Sequence, residues 1–600
     1  MNNLIAAFVC AAVLYCIPTA YASDGDPVRF TIDMTGPSTD TFLIQVDVPR
    51  LGRANNVYQF ASTAPGAYQV MDMGRFVSDF RAYDKRGRQI EVTQVQTNQF
   101  RIEQPRKVRR ITYKVAETWD TPVKENPVLR MAGSSLEEDH ALLNIHTLLG
   151  YFHGMQDADM EIGLVYPKEW TVGTALKAGE GGRLFAPDFD FAVDSPILLG
   201  RLSSTAIDIG GKKVEIFTYS KSDLIKSSDL MNEMRDVFIA TNKFVKGFPI
   251  DRYVLLFHFD DQNVGAWEHS YSSEYVLREA PLDESYVSLV NGIAAHEIFH
   301  MITPLHLHSE VIRQFNFVTP SPSQHLWLYE GVTEWASDMI LLRGGLITLD
   351  EFFDQISEKL AVDSHFDKTV SLQQLARTAF TPEGRAQYVN IYYRGALVPL
   401  LMDILLLEKS GGKRGLREVI LDFAKKYGSE KPFSEEDFFD EFVAMTYPEM
   451  RILIDHHVKG AWPLPIEEYF AKLGIQYLPI VYYDDTIPDR GHGIQYDGMH
   501  LIVTELRERS EREGLLEGDT VIAVNDIAVA MENFPEIATI LQGVEPGDTI
   551  SYTVIRPDGP QKLLLTVGEQ RRFQEHVFRV MEDASPEQVA LREAWMRRLE

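Results

Sequence analysis

Cysteine is almost absent from this 600-residue chain, which contains two, Cys10 and Cys16. Both lie in residues 1–22, an apolar stretch without a charged side chain that ends in Ala20-Tyr21-Ala22. This small-x-small ending is typical of a signal-peptidase site, so we expect residues 1–22 to be a cleaved signal peptide. Pro18 and the polar residues that follow argue against a permanent membrane span, so none is expected in the mature chain.

Removal of residues 1–22 would leave a chain without any thiol. That excludes a disulfide framework, a thiolate nucleophile and cysteine-ligated zinc. Any metal must then be held by histidines and carboxylates. A large exported protein without disulfides is typical of a bacterial envelope, so we expect a periplasmic or secreted location.

Positive charge is also scarce. The chain has 58 Lys and Arg against 87 Asp and Glu, a formal net charge of −29. Nucleic acids and anionic lipids are polyanions, so neither is expected as the main partner. The composition, 45% hydrophobic and 11% aromatic, is that of a globular protein, and the length predicts several domains.

The pattern along the chain predicts a multidomain α+β protein. Residues 23–215 read mostly as strands, with Phe42, Ile44, Val46 and Val48 alternating with other residues, and predict a β-sandwich-like domain. Residues 216–475 become mainly helical, with a capping box at Thr348–Glu351. Residues 476–570 return to strands and turns, and residues 571–600, rich in Arg and Glu, predict a charged helical tail.

Two histidines bracket a glutamate in the stretch A-A-H-E-I-F-H-M-I, residues 294–302. On a helix, His296 and His300 lie on one face and can present ring nitrogens to a single ion. Glu297 lies beside them, where it can take a proton from a metal-activated water. The competing interpretation, two histidines in an ordinary core helix, would leave buried polar nitrogens to satisfy.

A second acidic motif favours the metal. The stretch W-L-Y-E-G-V-T-E-W, residues 327–335, places Glu330 at the start of another helical pattern. Catalytic zinc needs a third protein ligand and an open position, and Glu330 can supply that ligand. Glu334, one turn later, can hydrogen-bond the outer nitrogen of a ligating histidine. The sequence therefore predicts a zinc site.

H-E-x-x-H followed by W-x-x-E-G-x-T resembles the gluzincin metallopeptidases, and further features resemble their glycyl aminopeptidase family. Residues 265–270, G-A-W-E-H-S, resemble that family's G-G-x-E-H segment. Residues 392–397, Y-Y-R-G-A-L, resemble the stretch that carries its catalytic tyrosine. The order of an N-terminal β-domain, a zinc domain and a PDZ domain is also similar.

The resemblance implies a role for each matching residue. His296, His300 and Glu330 would be ligands of one Zn²⁺ per chain in a thermolysin-like domain, residues 216–475, and Glu297 would be the general base. Glu268, with Gly265 and Ala266 beside it, would bind the free α-amine of a peptide. Tyr392 would stabilise the oxyanion, with Tyr393 as the adjacent candidate. Residues 476–570 would form the PDZ domain.

The turn at Gly514–Asp519 and the strand after it carry the PDZ resemblance. Its ligand loop would comprise Gly498, Met499, His500 and Leu501, and it would bind a protein or peptide C-terminus.

The resemblance implies an exported zinc aminopeptidase acting on peptides, with small N-terminal residues such as Gly or Ala as candidate substrates. A zinc endopeptidase of the bacterial envelope, which recruits substrates through the PDZ domain, remains the alternative. In that case Glu268 would contact an internal residue of the substrate. His306, His308 and His325 are further candidate ligands, although loop histidines more often face solvent.

Overall fold

The computed structural model describes residues 26–36, 40–261, 265–313, 315–496, 500–530 and 533–599. The predicted signal peptide, residues 1–22, lies outside these ranges. The chain divides into two compact units. The larger unit runs to Gly474 and resumes at Ala584, and the smaller unit is Ile475–Asp583.

The first part of the larger unit is built almost entirely of strands, which confirms a β-rich N-terminal domain. Its two short helices are α1, Ile145–Leu148, and α2, Phe189–Val193. Strands β1 to β16 are, in chain order, Val28–Asp33, Thr41–Asp47, Val57–Gln59, Val77–Asp84, Gln89–Ile90, Val92–Gln96, Gln99–Ile102, Val108–Ala116, Ser135–Leu136, His140–Leu143, Tyr151–Phe152, Met160–Val165, Thr171–Thr174, Lys177–Ala178, Leu184–Ala186 and Ile197–Gly200.

These strands form three sheets. The largest has the order β14-β15-β12-β1-β2-β8-β4-β5, and two four-stranded sheets have the orders β13-β16-β10-β9 and β11-β3-β7-β6. Alternate residues of β1 and β2, such as Phe30 and Ile44, are buried in the core of this domain. The alternating pattern of the sequence therefore corresponds to strands with one face buried in the core.

The second part of the larger unit opens with a five-stranded sheet. Its strands are β17, Ser203–Ile209; β18, Lys212–Ser220; β19, Arg252–Asp260; β20, Gly265–His269; and β21, Ser272–Arg278. Their order is β17-β18-β19-β21-β20, so β20 is an edge strand. The predicted boundary after residue 215 falls inside β18. Alternation continues through β17 and the first part of β18, and β19 and β21 are continuously buried strands, so the helical pattern begins later than predicted.

Helices make up the rest of this part. They are α3, Ser227–Phe244; α4, Glu284–Phe299; α5, Glu310–Arg313; α6, Val332–Gly344; α7, Leu349–Ser364; α8, Leu372–Arg377; α9, Pro382–Gln387; α10, Asn390–Ser410; α11, Leu416–Lys426; α12, Phe438–Ala444; α13, Met450–Leu453; and α14, Ile466–Lys472. Two π-helical segments, Trp327–Gly331 and Ile454–Val458, interrupt the series.

Helix α10 is the central element of the helical part. Within the described ranges it is the one helix long and apolar enough to cross a membrane, and 89% of its most apolar 18-residue window is buried inside the fold. Helices α6, α7 and α14 pack around it. Its apolar composition is that of a core helix buried on all sides.

The smaller unit contains a ribbon and a sheet. Strands β22, Ile475–Asp489, and β29, Gly568–Val580, pair antiparallel. The remaining strands are β23, Gly493–Tyr496; β24, Leu501–Thr504; β25, Thr520–Val524; β26, Ile527–Ala528; β27, Thr549–Arg556; and β28, Gly559–Thr566. They form a sheet of order β23-β24-β25-β27-β28, with β26 on β25, and two helices accompany it, α15, Glu508–Arg512, and α16, Phe534–Gln542.

The C-terminal segment differs from the predicted charged helical tail. Residues 571–580 belong to β29, where Arg571 and Arg572 pair with Asp484 and Asp485 across the ribbon. Charges at consecutive positions of an exposed ribbon hide the period-two pattern of a strand. Only α17, Pro586–Trp595, is helical, and it is part of the larger unit, where Trp595 is fully buried.

One buried carboxyl group gives a test of the packing between the two parts of the larger unit. Glu274 of β21 is fully buried, and Asn144 of the N-terminal domain donates a hydrogen bond to it at 3.3 Å. Burial raises the pKa of Glu274 well above its usual value of 4.5, although this hydrogen bond acts in the opposite direction. The folded state therefore keeps a proton that the unfolded state loses above that value.

Glu274→Gln should accordingly match the wild type near pH 4 and become more stable than it as the pH rises. The difference in the free energy of unfolding should grow by about 1.4 kcal/mol per pH unit until the pH reaches the raised pKa. Urea denaturation at several pH values measures this, with the exposed Glu358→Gln as control. A pH-independent difference would contradict the buried, protonated state.

Candidate active site

Helix α4 carries His296 in its last turn and is followed directly by His300. Asp283 caps it by accepting a hydrogen bond from the Tyr286 amide at 2.9 Å. The fully buried Ala294 and Ala295 allow close packing in the core, and α4 packs against α3 and α6. His296 and His300 emerge on one face with ring centroids 4.8 Å apart, as their i, i+4 spacing predicts.

Glu330 approaches this face from a π-helical segment, Trp327–Gly331, that runs directly into α6. Such local bulges are common at functional sites. The segment crosses helix α10 very closely, because a Cβ on Gly331 would stand only 2.7 Å from the carbonyl carbon of Gly395. Two glycines at the crossing therefore bring Glu330 and the start of α10 to the same place.

The three side chains form a site that can hold a metal. One ligand atom from each of His296, His300 and Glu330 lies within 4.8 Å of the others. Glu330 Oε2 is 3.6 Å from His296 Nε2 and 3.7 Å from His300 Nε2. Tetrahedral ligands at about 2.1 Å from zinc would stand roughly 3.4 Å apart, so the spacing fits one ion.

The outer nitrogens of both histidines are occupied. His296 Nδ1 is 2.8 Å from Glu334 Oε2, and His300 Nδ1 is 2.9 Å from the Thr303 carbonyl oxygen. Because Nδ1 donates in each case, Nε2 is the nitrogen left to coordinate a metal, and on both rings it faces Glu330. This is the arrangement in which partners behind the ligands fix their tautomer.

Glu334 is itself held by a buried lysine. Lys359 Nζ donates to Glu334 Oε1 at 2.7 Å and to Asp338 Oδ1 at 3.3 Å. Burial alone would raise the pKa of Glu334, but Lys359 and His296 outweigh this and hold it well below its usual range. Lys359 escapes sequence reasoning, because only the packing of α7 on α6 brings it to the site, whereas Asp338 lies one turn after Glu334 on α6 itself.

Glu297 offers a free acceptor beside the ligands. Its Oε2 is buried and has no hydrogen-bond partner among the described residues. Burial, reinforced by Glu330 and Glu334, raises the pKa of Glu297 to about 8. A buried carboxylate oxygen without a hydrogen-bond partner is energetically costly, so its presence here indicates that a ligand or a water molecule binds next to it.

Glu268 lies on the edge strand β20. Ligand atoms of Glu268, Glu297 and His300 all lie within 4.8 Å of one another. Burial and the neighbouring Glu330 and Glu297 raise the pKa of Glu268 well above its usual range. Three carboxylates thus converge on one buried volume, which favours cations there. The donor set therefore fits a metal ion.

The rest of the predicted amine-binding segment forms the strand around Glu268. Gly265, with a φ of +141°, and Ala266 pair with Val276 and Tyr275 of β21. Trp267 is buried beneath the strand. His269 lies on the opposite face from Glu268, with Nδ1 3.4 Å from Asp194, so it does not orient Glu268.

Tyr392 rather than Tyr393 faces the histidines. The Tyr392 ring centroid is 5.8 Å from that of His296, and its other neighbour is Tyr388, also at 5.8 Å. Burial and Glu330 raise the pKa of Tyr392 well above its usual range, so its hydroxyl stays protonated and can donate a hydrogen bond. Tyr393 is half-buried near Glu358 and Lys359 instead.

A tyrosine from the N-terminal domain also reaches the site. Tyr68 donates a long hydrogen bond, 3.5 Å, to Glu330 Oε1. Burial, with Glu330 and Glu268 nearby, raises the pKa of Tyr68 well above its usual range. Nothing in the sequence predicts it, since it lies 262 residues from its partner.

The further candidate ligands do not join the site. His306 Nε2 bonds the Ala424 carbonyl, and His308 Nδ1 bonds the Pro304 carbonyl at 2.6 Å. His325 is buried among three phenylalanines and bonds the Glu435 carbonyl. The expectation that such histidines face solvent is wrong for His308 and His325, which are core residues.

The predicted PDZ ligand loop is described only in part. Gly498 and Met499 lie outside the described residues. Leu501 begins β24, is buried in the core of the smaller unit and pairs with Val521, and His500 directly precedes it.

Comparison with known proteins agrees with this geometry. Residues 29–201 match the model of the Peptidase M61 N-terminal domain, and residues 290–398 match that of M61 glycyl aminopeptidase. The second match contains the histidines, Glu297, Glu330 and Tyr392. This chain is a zinc metallopeptidase. The matches support a metallo-aminopeptidase and bear out the resemblance of the sequence to glycyl aminopeptidases over these two segments.

A solved structure shares the fold of this metallopeptidase. It is an aminopeptidase N family protein from Idiomarina loihiensis, 19% identical with a TM-score of 0.76, and the match covers 95% of this chain and 100% of that one. A mutant of a two-domain M1 zinc metallopeptidase, bound to L-arginine, is 11% identical with a TM-score of 0.45, covering 73% of this chain and 94% of that one. No curated protein matches this metallopeptidase in sequence.

Glu334→Ala tests the support behind His296. Loss of the carboxylate leaves the His296 ring free to rotate and removes an ion-pair partner of Lys359, so metal affinity should fall about 10- to 100-fold. Competition with a chelating dye measures the affinity. The exposed Glu358→Ala on α7 is the control and should bind metal like the wild type. Unchanged affinity in Glu334→Ala would contradict the role of Glu334.

Proposed function

We propose that this protein is an exported aminopeptidase with one Zn²⁺ per chain that removes N-terminal residues, with small ones such as Gly or Ala as the first candidates, from peptides. The observation that carries the proposal is the position of Glu268. Its carboxylate lies within 4.8 Å of ligand atoms of Glu297 and His300, in a buried, strongly acidic volume. A substrate ammonium group is the cation that would form an ion pair with this carboxylate.

His296, His300 and Glu330 would hold the zinc. A zinc ion held by this set supplies Lewis-acid polarisation of the scissile carbonyl and of the attacking water. The fixed tautomers of both histidines, set by Glu334 and the Thr303 carbonyl, support this assignment.

The chain's own residues would then carry out the proton transfers. Glu297 Oε2, which has no other described partner, would accept a proton from the attacking water as the water oxygen bonds to the carbonyl carbon. Glu297 would return this proton to the leaving nitrogen as the C–N bond breaks. The Tyr392 hydroxyl, protonated and next to His296, would donate a hydrogen bond to the oxyanion.

Glu268 would set the register of the substrate. An ion pair between this carboxylate and the substrate α-ammonium fixes the N-terminus one residue from the scissile bond. Burial and the neighbouring Glu330 and Glu297 raise the pKa of Glu268, and a substrate ammonium beside it would favour its ionised form.

Two further assignments complete the proposal. Export is supported by the apolar residues 1–22 that end in Ala-Tyr-Ala. The smaller unit would act as a PDZ domain that binds a protein or peptide C-terminus. Its antiparallel sheet, with α16 as a flanking helix and β23 at the edge, supports this role, since such domains add a peptide strand to a sheet edge.

The activity is tested with an alanine-leading peptide and its N-acetylated form. The free-amine peptide should be cleaved after its first residue, the acetylated one should not, and a chelator should abolish cleavage. Glu297→Gln should retain metal and lose about 10²- to 10⁴-fold in kcat. The exposed Glu284→Gln, on the same helix, is the matched control.

Equal cleavage of both peptides would overturn the role of Glu268 and make the enzyme an endopeptidase. Wild-type turnover by Glu297→Gln would contradict the assignment of Glu297 as the general base.

A further inference from the structure

The N-terminal domain contributes one segment to the active site, residues 62–72, here named the wall loop. We propose that the wall loop closes the substrate cleft beyond Glu268, and that Tyr68 is the residue whose ring excludes any group attached to the substrate amine. This inference rests on the proposed aminopeptidase function and assigns its exopeptidase selectivity to a domain outside the zinc domain.

The first observation is the contact between the wall loop and a metal ligand. Glu330 uses Oε2 toward both histidines, while its other oxygen, Oε1, accepts the hydrogen bond from Tyr68 at 3.5 Å. The hydroxyl of Tyr68 therefore lies beside the Glu330 oxygen that does not face the histidines. This places the ring at the margin of the reaction volume.

The second observation is the contact between the wall loop and Glu268. Gly66 adopts a φ of +75°, and a Cβ at this position would stand 2.7 Å from Glu268 Oε1. It would also collide with the indole nitrogen of Trp267. The bare backbone of Gly66 therefore lies directly against the carboxylate that would receive the amine, and only glycine permits this approach.

The third observation is that aromatic rings back the wall loop from the zinc domain. The Tyr68 ring centroid is 5.2 Å from that of Tyr388 and 6.0 Å from that of Phe380. Tyr388 in turn lies 5.8 Å from Tyr392. Tyr68 thus joins a continuous aromatic surface that runs from the N-terminal domain to the oxyanion tyrosine.

The fourth observation is that the wall loop is held in a strained form. Tyr68 and Asp72 adopt left-handed φ values of +44° and +51°, which non-glycine residues rarely do. Asp72 is fixed by Ser62 Oγ at 2.8 Å and Asn98 Nδ2 at 2.7 Å. Strain of this kind persists only where the surroundings impose it, and it concentrates at functional sites.

These contacts have a direct consequence for substrate selection. In an internal or acetylated peptide, the nitrogen that Glu268 would bind carries an additional acyl group. That group needs the volume beside Glu268, where the Gly66 backbone lies and next to which Tyr68 contacts Glu330. A free ammonium needs no such volume and pairs with Glu268, so the wall loop and the carboxylate select for the same substrate end.

The test compares Tyr68→Ala with Tyr68→Phe. The readout is the ratio of kcat/KM for the acetylated peptide to that for the free-amine peptide. Removing the ring should raise this ratio by about tenfold or more, because admitting or excluding one substrate group typically changes relative kcat/KM by this amount. Tyr68→Phe, which keeps the ring, should lower turnover of both peptides but leave the ratio at the wild-type value. Tyr166→Ala, a half-buried tyrosine elsewhere in the N-terminal domain, is the control.

Gly66→Ala provides an independent variant. Its new methyl group displaces Glu268, so KM for the free-amine peptide should rise several-fold with a smaller change in kcat. Circular dichroism and metal content confirm that each variant is folded and loaded.

An unchanged ratio in Tyr68→Ala together with an unchanged KM in Gly66→Ala would contradict the proposed role of the wall loop in substrate selection. This outcome is distinct from failure of the proposed function, in which the wild type itself cleaves both peptides equally.

Discussion

The convergence of carboxylates in one buried volume is the constraint on which the rest of the structure depends. Glu268, Glu297 and Glu330 lie close together beside His296 and His300, with Glu297 and Glu330 buried. Such a cluster is unfavourable unless cations neutralise it. In the proposed function a metal ion and a substrate ammonium would meet this need at separate positions, so the same electrostatics would account for both cofactor binding and recognition of the peptide end.

The elements around the cluster are arranged to hold it rigid. A π-helical segment and a glycine-to-glycine helix crossing bring Glu330 against α4, and Lys359 secures Glu334 behind His296. Gly66 and Tyr68 of the N-terminal domain contact Glu268 and Glu330 respectively. Both parts of the larger unit therefore contribute residues at the candidate site.

The sequence predicts those parts of the site that depend on local spacing. His296 and His300 are brought together by helical periodicity, and Glu330 and Glu334 follow from one short motif. Tyr68 and Lys359 could not be predicted, because their contacts depend on tertiary packing between distant segments. The same distinction applies to the fold. Alternating hydrophobic residues identified the N-terminal strands. The predicted boundary at residue 215 falls inside β18, and a helical tail was predicted where β29 lies, because the sequence pattern of these segments does not show which strands they pair with.

X-ray absorption at the zinc edge of the metal-loaded protein tests the central claim most directly. The account predicts one zinc per chain with two imidazole nitrogens and carboxylate oxygen at about 2.0 to 2.2 Å, together with a water-derived oxygen. In His300→Ala the signal should lose one imidazole nitrogen or vanish. A spectrum that is unchanged in this variant would place the zinc elsewhere in the chain and contradict the account.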